Sequence, residues 1–323
     1  MFGLFGKKLP PFDPAEGNAF AAQGLRLIET GQGAALGNLY ADLPPADRIH
    51  FIDGLGQLAE IGMPLPPVAQ HPALAAVEGG LRYVWAHRLR GFAVADHTSQ
   101  QQVRDMIEMA AKASEVLEEA AASTPGDSAV HAFRIRNRML SSAGEAEIET
   151  VERDLRQTGE TNVLAELARL NYWAPKWYGS VEEMHARADE LTADPPNAAF
   201  LALKARAFIE EWLFESGMND EPGAAAAMKA RAVTPEFKSA LAVLDDRFHA
   251  LAASGPALSA AEAHFARNQF AFLFTAFINK DRVARHLAEL QHPAATPWGY
   301  MADSDRIPHF IARLRKECGL PRR

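Results

Sequence analysis

The chain has 323 residues, 48% of them hydrophobic and 23% charged, which is the composition of a folded protein and excludes a disordered one. A formal net charge of −8 excludes the broad basic footprint that nucleic-acid phosphates require, so no nucleic-acid partner is expected. The lone Cys318 excludes an intramolecular disulfide and a cysteine-based zinc site, and no run approaches the roughly 20 uncharged apolar residues that span a bilayer, so no membrane span and a cytoplasmic location are the expectations.

Helix formers dominate throughout, and period-2 alternation of β-branched residues is missing. Residues 1–14 read as an N-terminal tail in which Phe2, Leu4 and Phe5 precede Lys7 and Lys8. Residues 15–70 form a less regular helical part, broken at Pro44-Pro45 and at Pro64 through Pro67. From residue 71 to 323 the chain predicts a helical-hairpin repeat domain.

The clearest hairpin starts at Ala73, where Leu74, Val77, Leu81, Val84, Trp85, Leu89 and Phe92 recur at helical spacing. A link at Asp96-His97-Thr98 leads to a second stripe of Val103, Met106, Ile107, Ala110, Leu117 and Ala121. Two long helices joined so closely run antiparallel. Asp127 is placed to cap a helix that stops by Gly144, and helices follow near 145–158 and 161–173.

The stretch Asn171 to Leu191 then packs two tryptophans, Lys176 and Tyr178 around Pro175. Pro175 disfavours helix at the residue before it, and Ser180 with Glu183 reads as a capping box that opens the next helix. Trp173 and Trp177 are expected at the crossing of two helices, at least one of them buried, with Lys176 pointing outward. Further helices are predicted over 197–216, from Thr234-Pro235 to Leu251, from the Ser259/Glu262 box through Phe277, over 281–290 and over 304–316.

The segments WAHRLRG at 85–91, PKWYGSVEEM at 175–184 and ARNQFAFLFTAFINKDRVARHL at 266–287 together resemble a bacterial family of helical-repeat proteins of unassigned function with a Lys-Trp-x-Gly-Ser signature. The resemblance runs over roughly residues 70 to 300. It departs at Tyr178, where glycine is common in the family, and at His87, where tryptophan is common. It implies a tetratricopeptide-like fold and carries no activity. The fold expectation is therefore all-α: a degenerate, tetratricopeptide-like superhelical stack of antiparallel hairpins.

No phosphate loop, nucleophile elbow or His-Glu-x-x-His motif occurs, so no cofactor, catalytic residue or metal is expected. Four acidic residues stand three before a histidine: Asp47/His50, Glu182/His185, Asp246/His249 and Glu289/His292. Such spacing shares a helix face, and di-iron bundles use it, but they need further inward carboxylates; surface pairs are the expectation. Arg88, Arg134 and Arg138 are candidates for a positively charged groove, or for pairing with the acidic helix at 115–119. Lys176, Trp177 and His185 complete the candidate ligand- or partner-binding set.

Charge is uneven along the chain. Residues 95–253 carry 27 acidic and 16 basic side chains, whereas residues 254–323 carry 6 and 10. The leading expectation is a non-catalytic interaction or scaffold module with a protein or peptide partner. Two alternatives stand beside it: a small-molecule binder or enzyme with a buried Arg/His pocket, and a toxin-neutralising partner protein.

Overall fold

The computed structural model of the chain describes residues 11–91, 98–141 and 144–321. Phe2, Leu4, Phe5, Lys7, Lys8, the stripe end at Phe92, and Asp96 and His97 of the expected link lie outside the described residues. Among the described residues there are helices and no strand, as the composition predicts.

The N-terminal part contributes α1 (Ala21–Glu29), α2 (Gly33–Ala41) and α3 (Pro45–Leu58). Pro45 takes the first helical turn of α3, where its missing N–H costs nothing. Ile49, Phe51, Ile52 and Leu55 of α3 are all fully buried, and the helix touches α4, α6, α8 and α13. The part that reads as least regular in sequence thus supplies a central helix.

The expected hairpin is α4 (Leu74–Arg90) with α5 (Gln100–Ser123), packed along their lengths. Gly79 and Gly80 let the neighbours close in, since a Cβ at either would overlap Leu117 or Ile52. Asp127 does cap α6 (Ser128–Leu140), accepting the Ala129 N–H at 3.0 Å. After it come α7 (Glu145–Gln157), α8 (Val163–Tyr172), α9 (Val181–Ala193) and α10 (Leu201–Gly217).

One helix, α11 (Ala224–Ala232), has no counterpart among the predicted elements. Its AAAAMKARA sequence has helix propensity but no apolar stripe, and only Met228 is buried. Beyond it lie α12 (Pro235–Ser254), α13 (Ala260–Ala276), α14 (Lys280–Glu289), the single turn α15 (Ala295–Trp298) and α16 (Ile307–Glu317). The phenylalanine-rich α13 is central, packing on α3, α10, α14 and α15, with Phe270, Phe272 and Phe274 essentially inaccessible.

The Ser259/Glu262 capping box forms in full. At Ser180 the hydroxyl accepts the Glu183 N–H at 3.1 Å, an arm that contributes about 1 kcal/mol; the reciprocal arm is not formed among the described residues. No helix of the described residues is long and apolar enough to cross a membrane.

His87 on α4 packs edge-on to Tyr83, 5.0 Å between ring centres. Burial, with Arg136 and Arg90 adding repulsion, lowers its pKa to about 4. The folded state therefore takes up the proton less readily than the unfolded chain. Stability from this source is complete above the ordinary histidine value of about 6.5 and declines as the pH falls toward 4. Between pH 7 and pH 5 it should cost about 2 kcal/mol. Urea unfolding at the two pH values should show the difference shrinking by that amount in His87→Phe; an unchanged difference would contradict a neutral, partly buried His87.

Candidate functional site

The aromatic link between α8 and α9 is an anchor with two unequal tryptophans. Trp173 is 6% exposed, and its indole N–H donates to the Glu152 carboxylate at 2.9 Å. Trp177 is 38% exposed. Tyr178 stacks on Tyr172 at 4.9 Å and donates its hydroxyl to the Met139 carbonyl at 3.0 Å. Gly179 passes so close to Trp173 that any Cβ would collide with its backbone carbonyl, which accounts for glycine at this position of the Lys-Trp-x-Gly-Ser element.

Lys176 corrects the expectation of an outward-facing side chain. Its Nζ lies 2.7 Å from Glu210 Oε2 and donates to the Tyr300 hydroxyl at 2.8 Å. Glu210 is also paired with Arg206, one helical turn earlier on α10, at 2.5 Å. The Tyr300 hydroxyl accepts from Arg206 at 3.1 Å and donates to Glu210 at 3.0 Å. Burial pushes the Glu210 carboxyl up, but Arg206, Lys176 and the hydrogen bonds outweigh it and hold the group below its ordinary value. The lysine turns inward because a buried carboxylate needs a second cation more than the lysine needs water.

The predicted arginines are held by different partners. Arg88 donates to the Gly56 and Ala59 carbonyls at 2.6 and 2.5 Å, closing the C-terminal end of α3, where cations are favoured. Arg134, 7% exposed, pairs with Glu118 at 2.7 Å and Asp154 at 2.8 Å. Arg138 pairs with the same Glu118 at 2.8 Å and with Glu147 at 2.6 Å. Pairing with the acidic helix is seen for Arg134 and Arg138, through Glu118, whereas Arg88 is bonded to backbone carbonyls instead. His185 reaches Glu211, not Glu182, at 3.0 Å, and its ring stands edge-on to Phe208.

Among the described residues no ion pair joins the i,i+3 acid/histidine partners read from the sequence. Asp246 pairs with Arg282 and Glu289 with Arg267. Histidines instead gather across elements in two clusters, Glu16/His50/His264 and Asp245/His249/His286. In the second, His286 Nε2 lies 2.7 Å from Asp245, and His249 Nε2 lies 3.4 Å from it. Arg282 also pairs with Asp245, and Arg267 Nη1 faces His286 Nδ1 at 3.3 Å. An arginine N–H opposite Nδ1 makes that nitrogen the acceptor, so Nε2 carries the proton that Asp245 receives.

An open groove of about 680 Å³ lies near the C-terminal end of the chain. Tyr300, Met301, Asp303, Arg306, His309, Phe310 and Arg313 line it. Phe310 leans on the buried Trp298 (centroids 6.0 Å apart), and the Arg313 guanidinium lies 5.0 Å over the Phe310 ring. Arg306, His309 and Arg313 are exposed along one side. The groove wall is fixed from behind, because Tyr300 is the residue held by Lys176, Arg206 and Glu210.

None of the groove residues is among the candidates read from the sequence. The Arg206/Glu210 pair was legible as an i,i+4 ion pair. Its connection to Tyr300, 90 residues or more away, carries no local pattern. No family model, no curated protein and no solved structure matches the chain.

Proposed function

We propose that the protein is a non-catalytic helical interaction module, and that the groove over residues 299–313 takes an acidic peptide segment of a protein partner. The observation that carries the reading is the groove itself. It puts Arg306 and Arg313 beside an apolar floor of Phe310 and Met301, on a rigid wall, within the basic part of an otherwise acidic chain. A segment with carboxylates and one or two large apolar side chains complements that surface in charge and in shape. The pairing of Arg88, Arg134 and His185 with internal partners supports placing recognition here and away from a buried Arg/His pocket. Membership of the helical-repeat family, with hairpins stacked as a tetratricopeptide-like superhelix, belongs to the same proposal; stacked hairpins present extended surfaces of this kind.

Panning a random displayed-peptide library on the purified chain tests it. Enriched peptides should be rich in Asp and Glu with an interspersed aromatic or leucine. The double charge reversal Arg306→Glu/Arg313→Glu should weaken the best of them at least about tenfold. Enrichment without acidic bias, or equal binding by the charge-reversed protein, would reject the groove as the recognition surface.

A further inference from the structure

The other histidine cluster lies where the N-terminal turn, α3, α13 and the chain after α14 meet. Glu16 projects from the turn that precedes α1, with its Oε2 facing His264 Nε2 at 3.3 Å and its Oε1 accepting the Ala295 N–H at 2.6 Å. The turn is drawn tight by Asp13, whose two carboxylate oxygens accept the N–H groups of Ala15 and Gly17 at 2.9 and 2.8 Å. Glu16 itself holds φ at +53°, a left-handed conformation that is costly for a non-glycine residue. The ring of His50 lies on the ring of His264, 4.9 Å between centroids and 18° from parallel.

One nitrogen in this cluster is unpartnered: His50 Nε2 is sealed from solvent and has no hydrogen-bond partner among the described residues. A buried acceptor or donor left unpaired is normally eliminated, because it costs about 1–3 kcal/mol. Around it the available groups are of one kind: two imidazoles and a carboxylate whose donor atoms all lie within 4.8 Å of one another. A tetrahedral ion with bonds near 2.1 Å wants its donors about 3.4 Å apart, so small side-chain rotations complete the set.

We propose that Glu16, His50 and His264 bind a divalent first-row transition-metal ion, with two imidazole nitrogens and one carboxylate oxygen as ligands. The sequence predicts no metal, since the ligands come from three elements between 34 and 248 residues apart and share no motif spacing. The donor set selects the ion. Imidazole with one carboxylate suits zinc and its neighbours and is poor for calcium or magnesium, which want oxygen shells. Asn268, fully buried, has its Nδ2 at 2.9 Å from the His264 carbonyl and its Oδ1 bonded to Ala294 and Trp298, a supporting shell that holds α13 to the chain beyond α14. A fourth position falls to water.

The Asp245/His249/His286 cluster has comparable donors but a different electrostatic setting. Arg282 and Arg285 already approach Asp245, and Arg267 takes the far nitrogen of His286. A cation there would face two guanidinium groups, and His286 would need its proton on the nitrogen that meets an arginine donor. At the Glu16 cluster the charged groups that act on His50 are Asp13, His264 and His292, with no arginine or lysine among them.

Titration calorimetry of tag-free full-length protein, stripped with chelator and titrated with zinc chloride, tests the site. The expected result is saturable binding of one ion per chain. His50→Phe, which keeps an aromatic ring against His264, should weaken it about 100-fold, and Glu16→Gln at least about tenfold. His249→Gln should bind as the parent does. Cobalt(II) in place of zinc should give visible ligand-field absorption that His50→Phe removes. Should His50→Phe fail to fold by circular dichroism, Glu16→Gln, a partly exposed and isosteric change, decides alone. Absence of one-to-one binding, unchanged affinity in Glu16→Gln, or loss of binding in His249→Gln would overturn the assignment.

Discussion

Trp173→Ala should be the most damaging single change in the aromatic link, lowering stability by roughly 3–5 kcal/mol. The indole is 6% exposed, so truncation opens a large cavity between α7, α8 and α9. It also removes the N–H that satisfies Glu152, itself 2% exposed, and leaves that carboxylate to Arg169 at 3.6 Å. In a chain of this length a loss near 4 kcal/mol corresponds to a melting temperature lower by about 6 °C. Trp177→Ala, from a residue 38% exposed, should cost about 1 kcal/mol. Lys176→Ala should fall between, near 2 kcal/mol, because Glu210 keeps Arg206 when the lysine goes. Thermal melts of the three variants check the order. A Trp177→Ala loss as large as that of Trp173→Ala would mean that the exposed indole is packed in solution and that the link is anchored differently.

The sequence leaves open which tryptophan turns inward and points Lys176 outward, and the structure departs from that for a physical reason. Pro175, Gly179 and Ser180 announce where one helix ends and the next begins, because backbone restriction is local. Which of two tryptophans turns inward depends on Glu152 of α7, and the inward turn of Lys176 depends on Glu210 of α10. Neither partner shares a periodicity with the link. The same division runs through the whole chain. The α4/α5 hairpin, the Asp127 cap and the Thr234-Pro235 start were legible because each rests on spacing within one segment. The central place of α3 was not, since Gly54 and Gly56 make its pattern look irregular while serving as contact points for Ala21 and Val84.

The histidines show the limit most clearly. The i,i+3 spacing did not give the contacts: His185 pairs with Glu211 and His249 with Asp245, not with the acid three residues before each, and Asp47 does not pair with His50 among the described residues. On a helix surface that spacing allows a contact. It does not compel one when a better-shielded carboxylate is within reach, from another element for His185 (Glu211) or one turn back on the same helix for His249 (Asp245), where low dielectric strengthens the interaction. The groove escaped for a related reason: Arg306, Phe310 and Arg313 lie at i, i+4 and i+7 of a short amphipathic stretch, a pattern that also describes a plain surface helix.

Arg206→Met should destabilise the chain by about 3–5 kcal/mol, and the way that loss depends on pH separates charge from packing. The Arg206 and Glu210 side chains are 4% and 2% exposed, so removing the guanidinium leaves a buried carboxylate with Lys176 alone. In the parent protein the Glu210 carboxyl sits below its ordinary value. Its contribution is present above about pH 4.3, the ordinary glutamate value, and is lost as the pH falls through the lower folded pKa. Without Arg206, burial prevails and the carboxyl rises above its ordinary value. The variant is then penalised at neutral pH for holding a charge, and the penalty fades as acid neutralises it. Urea unfolding at pH 7.5 and 4.5 should therefore show the gap between parent and variant narrowing at the lower pH; an equal gap would assign the loss to packing. Arg206→Met/Glu210→Met should recover most of the stability, since Lys176, 17% exposed, can swing its ammonium to water once Glu210 is gone. The Tyr300 hydroxyl would lose its hydrogen bonds to both residues in that double variant. If the groove recognises an acidic peptide through a wall held rigid by this network, the double variant should be stable yet bind the peptide more weakly than the parent, because ordering Tyr300 then becomes part of the cost of binding.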